Sequence, residues 1–110
     1  MSYSVITTDN FDREAKRLAK KYKSLKTDLM ELFEELAINP QIGTHLGNNI
    51  YKIRLAIESK GKGKRGGARI ISIVQAIDTN VFLFSIYNKG DKDTISDKEI
   101  QELLQNEGLL

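Results

Sequence analysis

Ile50-Tyr51-Lys52-Ile53-Arg54-Leu55-Ala56-Ile57-Glu58 is the stretch on which the fold turns. Tyr51, Ile53, Leu55 and Ile57 recur at every second position, the repeat of a strand with one buried face, and Lys52 and Arg54 take the other face. Two further runs, Ala68 to Ile77 and Val81 to Asn88, are rich in β-branched and aromatic residues, and Asp78-Thr79-Asn80 between them is a natural turn. The three runs predict an antiparallel meander. The same alternation puts Ile70 and Val74, then Phe82, Phe84 and Ile86, on the core side, with Arg69, Tyr87 and Lys89 opposite.

On the N-terminal side, Tyr3 to Thr8 reads as a short strand, and Asp9 is placed to cap the helix that follows. Phe11, Ala15, Leu18, Ala19 and Tyr22 recur at helical spacing and leave the Lys and Arg residues between 13 and 26 outside. Ser24 is placed to cap a second helix, whose stripe of Leu25, Leu29, Leu32, Phe33 and Leu36 ends at Pro40, the only proline. Glycine and asparagine dominate residues 41–49, predicting a connecting loop. Ser96 and Glu99 have capping-box spacing and open a short C-terminal helix with Ile100, Leu103 and Leu104 on its apolar edge. The predicted order is therefore β-α-α-β-β-β-α. This is an α+β fold with a mostly antiparallel sheet and a helical hairpin packed on one face, expected to fill residues 1–110 as one domain.

The chain has no cysteine, which removes disulfides, thiolate metal sites and cysteine nucleophiles together. Residues 1–10 lack the basic start and apolar stretch of a signal peptide, and no apolar run approaches the ~20 residues that span a bilayer. A cytoplasmic location is expected, with no membrane partner. The net charge of +2 hides a division along the chain. Residues 48–92 carry nine Lys or Arg against three acids, whereas residues 93–110 carry one Lys against five acids. A polyanion can meet that basic centre.

Lys52, Arg54, Arg69 and Lys89 are placed to converge on one sheet face. RNA is a polyanion, and its cleavage passes through a phosphorane whose extra negative charge fixed donors stabilise. An Arg fork grips two phosphate oxygens at once, while Lys52 or Lys89 is placed to move a proton. The chemistry so read calls for no metal and no cofactor. The plain alternative is the polar side of a half-exposed meander. Against it stands the bias of sign, because Glu58 is the single acid among these outer positions.

Lys60-Gly61-Lys62-Gly63-Lys64-Arg65-Gly66-Gly67 invites a phosphate-loop reading, but the Walker spacing is missing. It reads as a hairpin tip or as a basic loop in which Lys60, Lys62, Lys64 and Arg65 contact RNA. Tyr87 is placed to stack on a base or to donate its hydroxyl proton, with packing as the alternative. His45, the only histidine, has no second histidine for an acid–base pair and no ligand cluster, so a surface or packing role is expected.

Tyr51-Lys52-Ile53-Arg54-Leu55, the segment Gly61 to Ile71, and Phe84-Ser85-Ile86-Tyr87-Asn88-Lys89 together resemble the RelE/HigB-type toxins of bacterial toxin–antitoxin modules. The resemblance covers almost the whole chain, and the basic glycine-rich insertion is most similar to the HigB-like branch. It implies a toxin that enters the A site of the small ribosomal subunit and cuts mRNA through attack by the ribose 2′-hydroxyl. By the same resemblance Lys52, Arg54 and Arg69 match catalytic cations, Lys89 matches a strand-end Lys, and Gly90 stands where a further Arg is frequent. It also implies a small cognate antitoxin, often a helix-turn-helix protein in that branch, and operator DNA bound only through the toxin–antitoxin complex. Two other functions stay open on the residues alone: a ParE-like inhibitor of DNA gyrase, and a non-catalytic module binding RNA or a partner.

Overall fold

The computed structural model describes residues 2–61, 63–90 and 95–108, apart from the side chains of Lys64 and Arg65. Its elements run β1 (Ser4–Thr7), α1 (Asp9–Lys21), α2 (Leu25–Ile38), β2 (Thr44–Gly47), β3 (Ile50–Leu55), a 3₁₀ turn (Glu58–Lys60), a single helical turn α3 (Gly63–Gly66), β4 (Ala68–Gln75), β5 (Asn80–Asn88) and α4 (Asp97–Asn106). Five strands form one sheet in the order β1-β5-β4-β3-β2. β1 runs parallel to β5, and the other neighbours are antiparallel.

The helical hairpin covers one face. Phe11 of α1 and Leu25, Leu29, Leu32 and Leu36 of α2 are buried with Ile53, Leu55, Ile70, Val81, Leu83 and Ile86 of the sheet. Each fully buried Leu, Ile or Phe side chain contributes roughly 1.5–3 kcal/mol of hydrophobic stabilisation, so this layer dominates the core. Ala19 of the expected stripe is exposed. The opposite face is also partly apolar: α4 lays Ile100 and Leu104 over Ile71, Phe84 and Tyr87. Ser96 and Glu99 form the predicted capping box at its start.

Four expectations are corrected. The segment read as a plain loop contains β2, which pairs with β3 through a two-residue turn. Asn48 and Asn49 both adopt positive φ (53° and 64°), as a type I′ hairpin requires. Neither Phe82 nor Phe84 shares a face with Ile86, because a bulge at Ile71/Ser72 places Phe84 as an extra residue on β5 and reverses the alternation there, so that Val81 and Leu83 take the core side instead. Thr8 rather than Asp9 caps α1, its Oγ1 accepting the Phe11 N–H at 3.2 Å. Ser24 makes no capping bond to α2, since its hydroxyl donates to Asp28 at 2.8 Å. Among the described residues no helix is long and apolar enough to cross a membrane.

Candidate nucleic-acid interface

β3, β4 and β5 bring three of the candidate side chains into one row. Arg54 pairs directly with Arg69, and Arg69 pairs directly with Tyr87. Directly opposed residues project from the same side of a sheet with Cβ atoms about 4.5–5.5 Å apart. Lys52 sits two residues before Arg54, opposite Ile71, and so shares this face. Lys89 follows Tyr87 by two residues, where its backbone N–H donates to the Gly67 carbonyl at 3.1 Å. The expectation that Lys52, Arg54, Arg69 and Tyr87 share a face is thus met in the backbone register.

The face is not open along its whole length, as the alternation implied. Arg54 is exposed, with no side-chain hydrogen bond or ion pair among the described residues, and Lys52 and Lys89 are half-buried. Arg69 is only 4% exposed, and its Nη1 donates to the Ala68 carbonyl at 3.2 Å. Tyr87 is 7% exposed, packed with Ile71 and Phe84 beneath α4. Like charges directly across a strand pair are destabilising.

Two glycines hold this geometry. A Cβ on Gly67 would lie 1.9 Å from the Leu55 carbonyl oxygen, so only glycine lets the start of β4 close on the end of β3. A Cβ on Gly43 would lie 2.4 Å from the Lys52 carbonyl oxygen, and Gly43 also has φ +105°.

The basic loop divides. Lys60 turns toward the helical hairpin, where its Nζ donates to Asn88 Oδ1 and lies 5.4 Å from the centre of the Tyr22 ring. Asn88 Nδ2 donates in turn to the Tyr22 hydroxyl at 3.3 Å. Burial would raise the Tyr22 phenol, but the Asn88 hydrogen bond and the Lys60 and Lys21 ammonium groups outweigh it and hold the phenol below its ordinary value. Lys60 is thus part of the scaffold behind the sheet. Lys62 and the side chains of Lys64 and Arg65 lie outside the described residues. The loop's root is tied down by Asp28, which accepts the Glu58 N–H at 3.1 Å, and by Ser59, whose N–H donates to Ser24 Oγ at 2.8 Å.

Sequence reading assigned nothing to Asn10 and Glu14, yet both hold the β5 edge beside this row. β1 ends at Thr7, so residues 84–88 of β5 have no strand neighbour on that side. Asn10 Nδ2 donates to the Phe84 carbonyl at 2.9 Å, and Glu14 Oε1 accepts from the Ile86 N–H at 3.2 Å and the Ser85 hydroxyl at 3.0 Å. Side chains of α1 thereby replace the missing strand. Their spacing of four was the available signal, since it places both on one helix face. His45 lies on β2 with its ring centroid 4.9 Å from that of Tyr51, in keeping with a surface and packing role. Among the described residues, no group of three His, Cys, Asp or Glu side chains could hold a metal ion.

The family model described as RelE toxin of the RelE/RelB toxin–antitoxin system matches residues 5–108. The chain belongs to the RelE toxin family. Solved structures agree on the fold. A mutant of the E. coli toxin RelE in the free state is 19% identical, with a TM-score of 0.61 over 96% of this chain and 98% of that one. The toxin of the intact E. coli RelBE toxin–antitoxin complex is 20% identical, with a TM-score of 0.61 over 79% and 96%. The RelBE2 toxin–antitoxin complex of Mycobacterium tuberculosis contains a chain 16% identical, with a TM-score of 0.57 over 80% and 92%. Against these RelE structures the α+β sheet with its helical hairpin is the shared architecture.

Proposed function

We propose that this RelE-family toxin is a ribosome-dependent endoribonuclease that cuts mRNA in the A site and so stops translation. The observation that carries the reading is the row Arg54–Arg69–Tyr87 across three neighbouring strands, with Lys52 on the same face. The 2′-hydroxyl oxygen of one nucleotide attacks the adjacent phosphorus, and its proton passes to an amine nitrogen of Lys52 or Lys89. Arg54 and Arg69 hold the phosphorane oxygens as negative charge builds. The bond to the 5′-oxygen then breaks, that oxygen takes up a proton, and a cyclic phosphate and a 5′-hydroxyl end result. Tyr87 borders the site as a stacking surface or proton donor. No step runs through a metal or cofactor. Because Arg69 and Tyr87 are both covered in the free protein, RNA binding must include a local shift that exposes them.

The cognate partner in this reading is a small antitoxin whose acidic segment covers the same cations, as RelB is bound to RelE in the solved complexes. Toxin and antitoxin together would bind operator DNA, and the toxin would act in the cytoplasm.

Primer extension on mRNA from programmed ribosomes tests the reading. Wild-type protein is expected to produce new 3′ ends within A-site codons, and Arg54→Ala and Arg69→Ala to cut roughly 10²–10³-fold more slowly, the loss typical of removing one charge-stabilising donor. Absence of cuts with wild type, or undiminished cutting by both variants, overturns it.

A further inference from the structure

A second concentration of positive charge lies away from the sheet face. Seven Lys or Arg residues fall between positions 13 and 26 against one acid, Glu14, and all seven are exposed. Glu14 is half-buried, its Oε1 engaged by the Ile86 N–H, the Ser85 hydroxyl and Asn10. Glu14 is therefore partly turned inward, and the C-terminal two turns of α1 are left cationic, whereas its first turn carries the exposed Asp9 and Asp12.

Between α1 and the strand-free edge of β5 lies a groove of about 470 Å³. Glu14, Arg17, Leu18 and Lys21 line one wall, with the Glu14 Oε1 engaged by the Ile86 N–H and the Ser85 hydroxyl, and Ile86, Tyr87 and Asn88 line the other. It exists because β1 stops at Thr7, which leaves this end of β5 beside a helix and not a strand. Its floor is braced by Asn88, which bonds to both Tyr22 and Lys60. Tyr87 closes the Arg54–Arg69 row on the α4 face and also lines the groove, whose Leu18 and Asn88 lie on the helical-hairpin side, so the two meet at the β5 edge of the sheet. Two strand spacings, roughly 10 Å, separate Arg54 from Tyr87, and the groove carries the track of positive charge onward along α1.

We propose that the α1–β5 groove is a second RNA subsite, in which Arg17 and Lys21 hold backbone phosphates of the same single strand that is cut at Arg54 and Arg69. The proposal rests on the ribonuclease reading and extends it to nucleotides flanking the scissile linkage. Phosphate is the chemistry these side chains suit: two exposed cations one helical turn apart, beside a single carboxylate, Glu14, whose Oε1 is taken up by hydrogen bonds to β5. Contacts of this kind set affinity and strand position without reading bases.

The test uses purified full-length protein and a short single-stranded RNA methylated at every 2′-oxygen, which cannot supply the attacking group. Affinity is followed by fluorescence anisotropy over a range of salt concentrations for wild type, for the double variant Arg17→Gln/Lys21→Gln, and for Lys23→Gln/Lys26→Gln, whose side chains do not line the groove. Each phosphate contact contributes about 0.7 to the slope of log K against log salt for single strands. The groove variant is expected to lose about 1.4 from that slope and to bind more weakly, while the control keeps the wild-type slope. An unchanged slope in the groove variant overturns the proposal, as does an equal loss in the control, which would mean a diffuse field. RNA that wild type does not bind, or a groove variant impaired only toward an acidic antitoxin peptide, overturns it too. Failure of the ribonuclease reading looks different: wild type then binds the methylated RNA with its full slope yet makes no cuts on ribosomes. Thermal unfolding of both variants verifies that they are folded.

Discussion

Arg54 and Arg69 stand directly opposite each other on β3 and β4, yet the first is exposed and the second is 4% exposed. Two cations so placed differ in what they cost the fold. Arg54→Ala is expected to change stability by no more than about 0.5 kcal/mol, the usual effect at an exposed position. Arg69→Ala removes a buried, hydrogen-bonded side chain and is expected to destabilise by about 1–3 kcal/mol. Both should slow mRNA cutting. Urea unfolding beside primer extension separates the two effects, and equal stability losses would contradict the difference in burial.

Glu14 is expected to act as a structural acceptor. Its Oε1 takes hydrogen bonds from Ile86 and Ser85 at the edge that β1 leaves uncovered. Glu14→Ala strands those donors and is expected to cost about 1–3 kcal/mol, while Glu14→Gln keeps an oxygen acceptor and should cost less. Hydrogen exchange at the Ile86 amide should accelerate in the alanine variant. An unchanged exchange rate would show that water or another group replaces the carboxylate fully.

Gly67 marks where strand geometry and the cationic row meet. The Cβ of Gly67→Ala would fall 1.9 Å from the Leu55 carbonyl oxygen, a backbone atom that side-chain rotation cannot move aside. Overpacking of this kind costs roughly 1–3 kcal/mol. It would also part the ends of β3 and β4 beside Arg54 and Arg69, so cutting should fall more than stability alone explains. Gly61→Ala is the comparison. Gly61 has φ +73° with open space around it, so only backbone strain of about 1 kcal/mol is expected and cutting should be retained.

The central strands were legible because Tyr51, Ile53 and Leu55 alternate cleanly with Lys52 and Arg54, and the helical hairpin because α2 carries five apolar residues in one stripe. What escaped depended on tertiary context. β2 was hidden because Thr44 to Gly47 is short and exposed, and its strongest signal, Asn48-Asn49, also fits an ordinary loop. The bulge at Ile71/Ser72 leaves no mark in composition, yet it moved Phe84 to the other face. Arg69 read as a surface cation because alternation reports the side of a sheet and not what covers it. Asn10 and Glu14 drew no assignment, since the early end of β1 is visible only once the strands are paired. Lys60 was grouped with the loop cations for its neighbours in sequence, whereas its Nζ is claimed by Asn88 and the Tyr22 ring.

Tyr22 gives that last contact a pH signature. Burial works against the phenolate, but the Asn88 hydrogen bond and the Lys60 and Lys21 charges prevail, so the folded phenol titrates below 10.0. Between the lowered value and 10.0 the unfolded chain holds more phenol protons than the folded one, so this group adds stability as pH rises through that window. The contribution is complete above 10.0 and is lost as pH falls through the folded value. Tyr22→Phe should therefore be less stable than wild type at every pH, by about 1 kcal/mol from the lost Asn88 bond, with the gap widening toward alkaline pH. Urea unfolding at a series of pH values reads the gap, and tyrosinate absorbance reads the titration directly. Lys60→Ala should move the Tyr22 titration upward toward 10.0. A gap constant across pH, or a titration that Lys60→Ala leaves in place, would mean that the Lys60 ammonium does not act on the phenol.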